Sequence, residues 1–397
     1  MNKRLLLSIL MIFTLVILAA CGADGKDTEG GGDKEQGTDS GGDKEQAAAD
    51  GGAIKAKIGV ISYLTGPGAG YGEAITNGLN LANEELKAAG EVDLELKIED
   101  SAGKQEEALS AAQKLMNSDN VDAIIGPTLS TEMFVVGPEA DLNGVPIMGT
   151  SNTADGIPQL GEYVFRNSIP ETLAIPASVE KAIEKYDAKK VAILYGNDDV
   201  FTKAGYDVMK KVAEDLNLEV VATETFQLGQ ADYKAQLTTI KSKNPDIILA
   251  SALYNEGAVI LDQARKMGLN VPVVGGNGFN SPEVIKIAGD ASNGLIVATP
   301  WFAQKDDEKV KSFVEKYKAA YGVEPDQFAA QAYDGLYLIA EAVKNAGVAD
   351  RDEIRDALAN IQGFEGVLGT MSFDEEGDIV MDPTVLIIEG NEYIVFE

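Results

Sequence analysis

Residues 57–72 read KIGVISYLTGPGAGYG, an apolar run rich in β-branched residues that passes directly into a glycine-rich loop. Outward from this stretch, strand-like runs and helical patterns alternate, with strands over 94–98, 121–126 and 145–149 and helices over 72–89, 105–117 and 131–142. Such alternation predicts a parallel sheet with helices on both of its faces.

A second series of the same kind begins near residue 191. It predicts strands over 191–195, 219–223, 246–250, 272–275 and 294–298, and helices over 204–216, 233–243 and 256–267. Helical patterns dominate 306–360, and 369–397 returns to strand-like runs. We therefore predict the α/β class, with two doubly wound parallel-sheet lobes.

The beginning of the chain has the layout of a secretory signal. Lys3 and Arg4 precede an apolar run that ends at Ala20, and this run is shorter than the roughly 20 residues of a membrane-spanning helix. Residues 18–22, LAACG, resemble a bacterial lipobox, in which the cysteine carries the lipid. We expect a signal peptide over 1–20 and a lipid anchor on Cys21; the alternative is a plain cleaved signal.

Residues 22–53 are almost free of apolar side chains, and the block GGDKEQ occurs there twice, at 31–36 and 41–46. Such a composition cannot bury enough apolar surface to offset the entropy of ordering. We expect residues 21–53 to form a lipid-anchored, disordered linker that holds the folded part close to the outer face of a bacterial cell membrane.

Composition restricts the chemistry. The 397 residues include 64 acidic, 33 basic and no histidine side chains, for a net charge of −31. Without histidine, neither a Ser-His-Asp triad nor an imidazole-ligated zinc site can form, and the acidic balance argues against a nucleic-acid partner. Glycines at 66, 68, 70 and 72 do not have dinucleotide-binding spacing. We expect no enzymatic activity and no cofactor.

Gly, Ser, Thr and Asn residues collect where the predicted strands end, in the loops 66–72, 126–131, 149–153 and 275–280. Ligands of open parallel sheets bind beyond these carboxyl ends. Ser130 and Thr131 open a helix, where N–H groups attract a carboxylate, and the 149–153 loop adds further donors. Tyr71 and Phe279 are expected to supply aromatic walls.

Four stretches, 58–72, 124–130, 145–153 and 262–268, together resemble the type I periplasmic binding proteins of the leucine/isoleucine/valine-binding kind. The resemblance implies two lobes joined by three hinge crossovers, with a solute held in the cleft between them. It assigns residues 54–170 plus 299–372 to lobe 1 and residues 171–298 plus 373–397 to lobe 2.

The resemblance also implies site residues. It assigns the solute carboxylate to Ser130, Ser151 and Thr153, the cover of the cleft to Tyr71, and the lobe 2 contacts to the neighbourhoods of Phe201 and Tyr254.

Asn277 departs from the family pattern. It stands in the loop where the amino-acid binders of the family hold the ammonium group with an acid. A neutral amide lacks the charge that strengthens such a bond. Another acid, such as Asp198 or Asp334, therefore replaces it, or the ligand is not a zwitterion.

The predicted function is that of a monomeric, lipid-anchored solute-binding protein. It would capture a branched-chain or related amino acid outside the cytoplasm and pass it to an ABC permease. The alternatives are a binder of an amide or small organic acid, a ligand-sensing receptor domain of the same fold, and a carboxylate-dependent hydrolase.

Overall fold

The computed structural model describes residues 52–397, so the predicted signal peptide, Cys21 and nearly all of the predicted linker lie outside the described residues. Within 52–397, no helix combines the length and the apolar character needed to cross a membrane.

The first sheet has five strands, all parallel, in the order β2-β1-β3-β4-β5. Its strands are β1 (Ile54–Ser62), β2 (Val92–Asp100), β3 (Ala123–Ile125), β4 (Ile147–Gly149) and β5 (Val164–Arg166). The central strands are apolar on both faces because helices cover both sides. We call this sheet and its helices lobe 1.

The second sheet has seven strands in the order β14-β13-β10-β9-β8-β6-β7. Five of them are parallel, whereas β13 and β14 pair antiparallel at one edge. The strands are β6 (Lys190–Gly196), β7 (Glu219–Phe226), β8 (Ile247–Ser251), β9 (Val273–Gly275), β10 (Leu295–Thr299), β13 (Thr384–Glu389) and β14 (Glu392–Val395). We call this sheet and its helices lobe 2. A separate hairpin pairs β11 (Phe364–Glu365) with β12 (Thr370–Met371).

Helices pack on both faces of each sheet, which buries the apolar side chains of the strands. The helices of lobe 1 are α1 (Ala69–Ala89), α2 (Gln105–Asn117), α3 (Ser130–Leu142), α9 (Glu308–Tyr321), α10 (Gln327–Ala346) and α11 (Arg351–Ala359). The helices of lobe 2 are α4 (Glu171–Tyr186), α5 (Val200–Asp215), α6 (Lys234–Ser242), α7 (Tyr254–Lys266) and α8 (Pro282–Ala288).

The chain passes between the two sheets three times, between β5 and α4, between β10 and α9, and between β12 and β13. The prediction of an α/β fold with two doubly wound lobes is confirmed. The carboxyl ends of the parallel strands place the loops after β1, β3 and β4 at one edge of lobe 1, where α3 also begins.

Two helices, α4 and the short α8, have no counterpart in the sequence prediction. Residues 171–186 form α4, and Ala174, Ile175, Val179 and Ala182 are buried at helical spacing. Pro176 lies inside this helix, near its beginning. Proline usually signals the end of a helix, so its presence hides the helical pattern.

Candidate functional site

A narrow cavity lies between the lobes. About 20 Å³ of it is open to the centre of a water-sized sphere, which is room for about one water molecule. The lobes therefore leave only a small space here, and a solute enters it when the lobes move apart. The lining residues are Tyr71, Thr128, Leu129, Ser130, Ser151, Phe201, Leu253, Asn277, Gly278 and Phe328.

Lobe 1 contributes hydroxyl groups that its own main chain holds in place. Ser130 is the first residue of α3, and its Oγ accepts a hydrogen bond from the Ala154 N–H at 3.2 Å. The Ser151 hydroxyl donates to the Thr128 carbonyl at 2.6 Å. Because the first N–H groups of a helix lack intrahelical partners, this wall presents donors suited to a carboxylate.

A buried carboxylate also stands at the beginning of α3. Glu132 Oε2 accepts from the Leu129 N–H at 2.9 Å, and burial raises the pKa of Glu132 to about 7. A neutral Glu132 would leave the beginning of α3 more attractive to an anion, because like charges repel.

Aromatic side chains form the opposite boundary. The Tyr71 hydroxyl donates to the Gly278 carbonyl at 2.5 Å and accepts from the Tyr254 N–H at 2.8 Å. The Tyr71 ring packs edge-on against Phe328 and Tyr254, at centroid distances of 4.8 and 4.6 Å. With Phe201 and Leu253, these rings make an apolar boundary suited to an aliphatic or aromatic group.

Further contacts join the lobes outside the cavity. The Tyr254 hydroxyl donates to the Pro67 carbonyl at 2.6 Å and accepts from the Gly70 N–H at 3.1 Å. On the other side, the Thr131 hydroxyl donates to the Asp199 carboxylate. The structure therefore shows the lobes closed against each other.

The side chain of Asn277 is already engaged. Its Oδ1 accepts a hydrogen bond from Gln327 Nε2 at 2.5 Å, and Gln327 Oε1 accepts from the Thr299 hydroxyl at 2.7 Å. One of the lone pairs that an ammonium group would need on Asn277 is thus used inside the protein.

Glu171 lies directly behind Asn277. This first residue of α4 is fully buried, and its Oε1 accepts from the Asn277 N–H at 2.8 Å. Its own N–H donates to the Thr153 carbonyl at 2.8 Å, so it connects the lobe 1 loop with the lobe 2 loop. Burial raises the pKa of Glu171 to about 7, against the opposing influence of the Asn277 N–H and the Thr153 hydroxyl.

Five of the predicted site residues line the cavity together: Tyr71, Ser130, Ser151, Phe201 and Asn277. Thr153 is buried beneath them, and Tyr254 reaches the cavity only through its contact with Tyr71. Their roles toward a ligand remain predictions.

Three expectations about neighbouring residues are wrong. Phe279 is not a cavity wall, because its ring is fully buried against Gly257 and Gly275. Asp198 lies on an exposed loop, where it accepts from the Leu228 N–H. Asp334 is buried away from the cleft and accepts from the N–H groups at 367 and 368.

Phe328 lines the cavity and Glu171 lies behind it, although both stand outside the loops and neighbourhoods predicted for the site. Phe328 lies in α10, whose first half is almost continuously buried, so the helical pattern does not mark one residue as cavity-lining. Glu171 follows Pro170 in the segment without a predicted element. The feature of the sequence that could have identified Glu171 is its position: it is an acidic residue at the start of the helix that begins where the chain leaves lobe 1.

A wider pocket lies on the other side of Gln327, with about 260 Å³ open to water-sized spheres. Trp301, Asp326 and Tyr393 are among its lining residues, with Thr299 and Gln327 at its inner end. We assign the solute to the narrow cavity, because there the carboxyl ends of the strands and the beginning of α3 converge.

Comparison with known proteins agrees with this architecture. The family model for periplasmic binding proteins matches residues 55–390. The leucine-, isoleucine-, valine-, threonine- and alanine-binding protein of Pseudomonas aeruginosa is 29% identical over 327 residues, which cover 81% of this chain and 87% of that protein.

Two solved structures are similar along nearly their whole length. The branched-chain amino acid transporter substrate-binding protein LivJ from Streptococcus pneumoniae, in complex with isoleucine, is 32% identical with a TM-score of 0.81, covering 85% of this chain and 97% of that one. The leucine-binding protein LivK from Thermotoga maritima is 28% identical with a TM-score of 0.80, covering 86% and 97%. The chain therefore belongs to the periplasmic binding protein family, and is a solute-binding protein of the kind that serves ABC transporters.

Proposed function

We propose that this protein binds a branched-chain or related aliphatic amino acid in the narrow cavity and delivers it to an ABC permease. One observation supports the proposal above all. The hydroxyl groups near the beginning of α3 lie on one side of the small cavity, and the apolar side chains of Phe201, Leu253 and Tyr71 lie on the other. Membership of the family implies a location outside the cytoplasm and a binding rather than a catalytic role.

The carboxylate end of the solute fits the lobe 1 wall. Ser130 supplies its hydroxyl and Ser151 its N–H, because the Ser151 hydroxyl already donates to the Thr128 carbonyl, and the positive end of the α3 dipole adds to their attraction. A bond from such a donor to a charged group contributes about 1.5–3 kcal/mol. This wall therefore binds and orients the carboxylate.

The aliphatic side chain fits the opposite boundary. Leu253, Phe201 and Phe328 exclude water there, and burying an aliphatic side chain of leucine size contributes roughly 1.5–3 kcal/mol. The lining residues enclose only a small space between the lobes, so a compact solute such as a single amino acid is the preferred ligand once the lobes have moved apart to admit it.

Closure delivers the solute. A solute that touches both walls binds the closed form more tightly than the open form, and so shifts the equilibrium toward the closed form. The permease then recognises the closed form.

A small organic acid is the second candidate ligand. The observation that favours it is Asn277, whose neutral amide faces the cavity and whose Oδ1 is engaged by Gln327. Such a ligand would keep the carboxylate contacts and need no acid for an ammonium group.

The finer organisation is also part of the proposal. Residues 54–170 plus 299–372 and residues 171–298 plus 373–397 would move as two units about the three crossings between the sheets. The protein would act as a monomer.

A lipid on Cys21 would hold the protein at the outer face of the cytoplasmic membrane. Cys21→Ser should release it into the soluble fraction. Retention of this variant in the membrane fraction would instead indicate an uncleaved apolar helix.

A thermal-shift screen tests the proposed ligand. We expect leucine, isoleucine or valine to raise the melting temperature, since a ligand at about 100 times its dissociation constant adds about 2.7 kcal/mol of stability. Stabilisation by small organic acids alone would favour the second candidate. Stabilisation by neither class would contradict both.

A further inference from the structure

The wider pocket beside Gln327 has no part in the proposed function. About 260 Å³ of it is open to the centres of water-sized spheres, against about 20 Å³ of the solute cavity. One water molecule needs roughly 10–15 Å³ by this measure, so the pocket has room for a molecule of several heavy atoms even while the lobes are closed.

Both lobes contribute to this pocket. Leu386 and Tyr393 lie on β13 and β14 of lobe 2, and Asp326 caps the beginning of α10 in lobe 1. Trp301 and Phe302 lie where the chain crosses from β10 to α9. A ligand in this pocket would touch both lobes, so its affinity would depend on how far the lobes are closed.

The charged residues that line the pocket are all acidic. They are Glu324, Asp326 and Glu392, and the lining contains no lysine or arginine from the described part of the chain. Glu324 pairs with Lys318 at 2.7 Å, whereas neither Asp326 nor Glu392 is in a salt bridge within residues 52–397. Burial raises the pKa of Asp326 to about 7, because its charge is poorly compensated there. A cation is the group that would compensate it.

Aromatic side chains form another part of the walls. Trp301, Phe302 and Tyr393 line the pocket. The Tyr393 hydroxyl donates to the carbonyls of Phe279 at 2.7 Å and Ser281 at 3.2 Å, so its ring rather than its hydroxyl is left to line the pocket. Aromatic rings attract organic cations, and quaternary ammonium groups are commonly bound in this way.

One buried donor of these walls has no partner. Trp301 is 5% exposed, and its Nε1 has no hydrogen-bond partner within residues 52–397. An indole N–H can only donate a hydrogen bond, and buried polar groups are normally paired. An oxygen atom on a ligand would therefore satisfy Trp301.

The pocket is connected to the solute cavity. Gln327 lines the pocket, and its Nε2 donates to Asn277 Oδ1 at 2.5 Å. The loop 277–281 lines the solute cavity through Asn277 and Gly278, and it lines the pocket through Asn280. A ligand on one side of this loop therefore acts on a wall of the other space.

From these observations we propose that the pocket beside Gln327 is a second binding site, for a small organic ammonium compound that carries a hydroxyl or carbonyl oxygen. The ammonium group lies among the aromatic rings and the carboxylates of Asp326 and Glu392, and the oxygen accepts from Trp301 Nε1. Because both lobes form the pocket in the closed arrangement, its occupation stabilises that arrangement and tightens the binding of the solute. The site and its ligand are distinct from those of the proposed function.

Two ligands of the same shape test this site. Choline and 3,3-dimethylbutan-1-ol share the hydroxyl group, but only choline is charged. Titration calorimetry measures both on wild type and on two variants of the purified protein. Asp326→Asn removes one charge and keeps the cap of α10, because asparagine caps a helix about as well as aspartate. Asp350→Asn is the matched control, because Asp350 caps α11 in the same way and does not line the pocket.

We expect wild type to bind choline at least about 10-fold more tightly than the neutral alcohol. Asp326→Asn should weaken choline binding about 5- to 10-fold and leave the binding of the alcohol unchanged, and Asp350→Asn should match wild type for both ligands. Glu392→Gln should weaken choline binding in the same direction. Saturating choline should tighten leucine binding about 5-fold or more, and leucine should tighten choline binding by the same factor.

Absence of choline binding, or equal binding of choline and the neutral alcohol, would overturn the inference. Equal weakening by Asp326→Asn and Asp350→Asn would overturn it as well, since choline would then be attracted only by the net charge of −31. Choline binding that leaves the affinity for leucine unchanged would overturn the coupling between the two sites. Leucine titrated without choline decides the proposed function separately, and a failure to bind leucine would not alter the choline titrations.

Discussion

The two walls of the cavity differ in whether their hydrogen-bond partners lie in the same lobe or in the opposite one. Ser130 and Ser151 bond the main chain of their own lobe, at Ala154 and Thr128. On the other wall, the Gly278 carbonyl and the Tyr254 N–H bond Tyr71, which belongs to the opposite lobe. The lobe 1 wall is thus complete without closure, whereas part of the lobe 2 wall is satisfied only by closure. We therefore expect the solute to bind lobe 1 first.

The largest expected effect concerns what supports the lobe 1 wall. Arg166 is buried, forms two hydrogen bonds of 2.7 and 2.6 Å with Asp378, and donates to the carbonyls of Asn152 and Ala154. Arg166→Met leaves Asp378 and those carbonyls without their partner. Loss of one partner of such a buried pair costs about 3–5 kcal/mol, to be measured by urea unfolding.

Arg355→Met is the control for this prediction. Arg355 pairs with the exposed Glu162 at 3.3 Å, and a surface pair of this kind contributes about 1 kcal/mol or less. If both variants lost equal stability, the lobe 1 wall would not depend on the buried pair.

The next effect concerns the lobe 1 wall itself. Ser130→Ala removes one donor to the solute carboxylate, so the binding free energy should weaken by about 1.5–3 kcal/mol while the fold is kept. Ser178→Ala is the matched control, because Ser178 is also buried but donates to the Ala174 carbonyl inside α4. Titration calorimetry measures both; unchanged affinity in Ser130→Ala would count against the carboxylate site.

The smallest effects distinguish the contacts between the lobes. Tyr71→Phe keeps the ring but removes the hydroxyl that bonds Gly278 and Tyr254, which should cost the closed form about 1–2 kcal/mol. Tyr254→Phe removes bonds to Pro67 and Gly70 at the edge of the cleft, and should cost less. Small-angle scattering should show a larger fraction of open protein for Tyr71→Phe than for Tyr254→Phe. A larger open fraction for Tyr254→Phe would mean that the main contact between the closed lobes lies at the edge of the cleft.

Much of the fold follows from local patterns. The alternation of apolar runs and helical spacing, with glycine and hydroxyl residues after the strands, marks both sheets and the edge where ligands bind, because parallel strands share one carboxyl edge. Ser130 and Ser151 were predictable for this reason: each lies within a few residues after the end of a strand.

The remaining features depend on contacts between distant parts of the chain. Phe279 and Phe328 are both aromatic, but only the packing shows that Phe279 belongs to the core and Phe328 to the cavity. Glu171 and Asn277 are 106 residues apart, and no local pattern pairs them. Pro176 also obscures the helix that carries Glu171. The periodicity of apolar residues indicates which face of a helix or strand is buried. It does not indicate which loops of the two lobes come into contact.

The most direct test of the central claim is titration calorimetry of leucine, isoleucine and valine against the purified protein, with Ser130→Ala measured in parallel. The account predicts one molecule bound per chain for at least one of the three amino acids, weakened about 10- to 100-fold in the variant. No binding of any of the three, or binding that Ser130→Ala leaves unchanged, would contradict it.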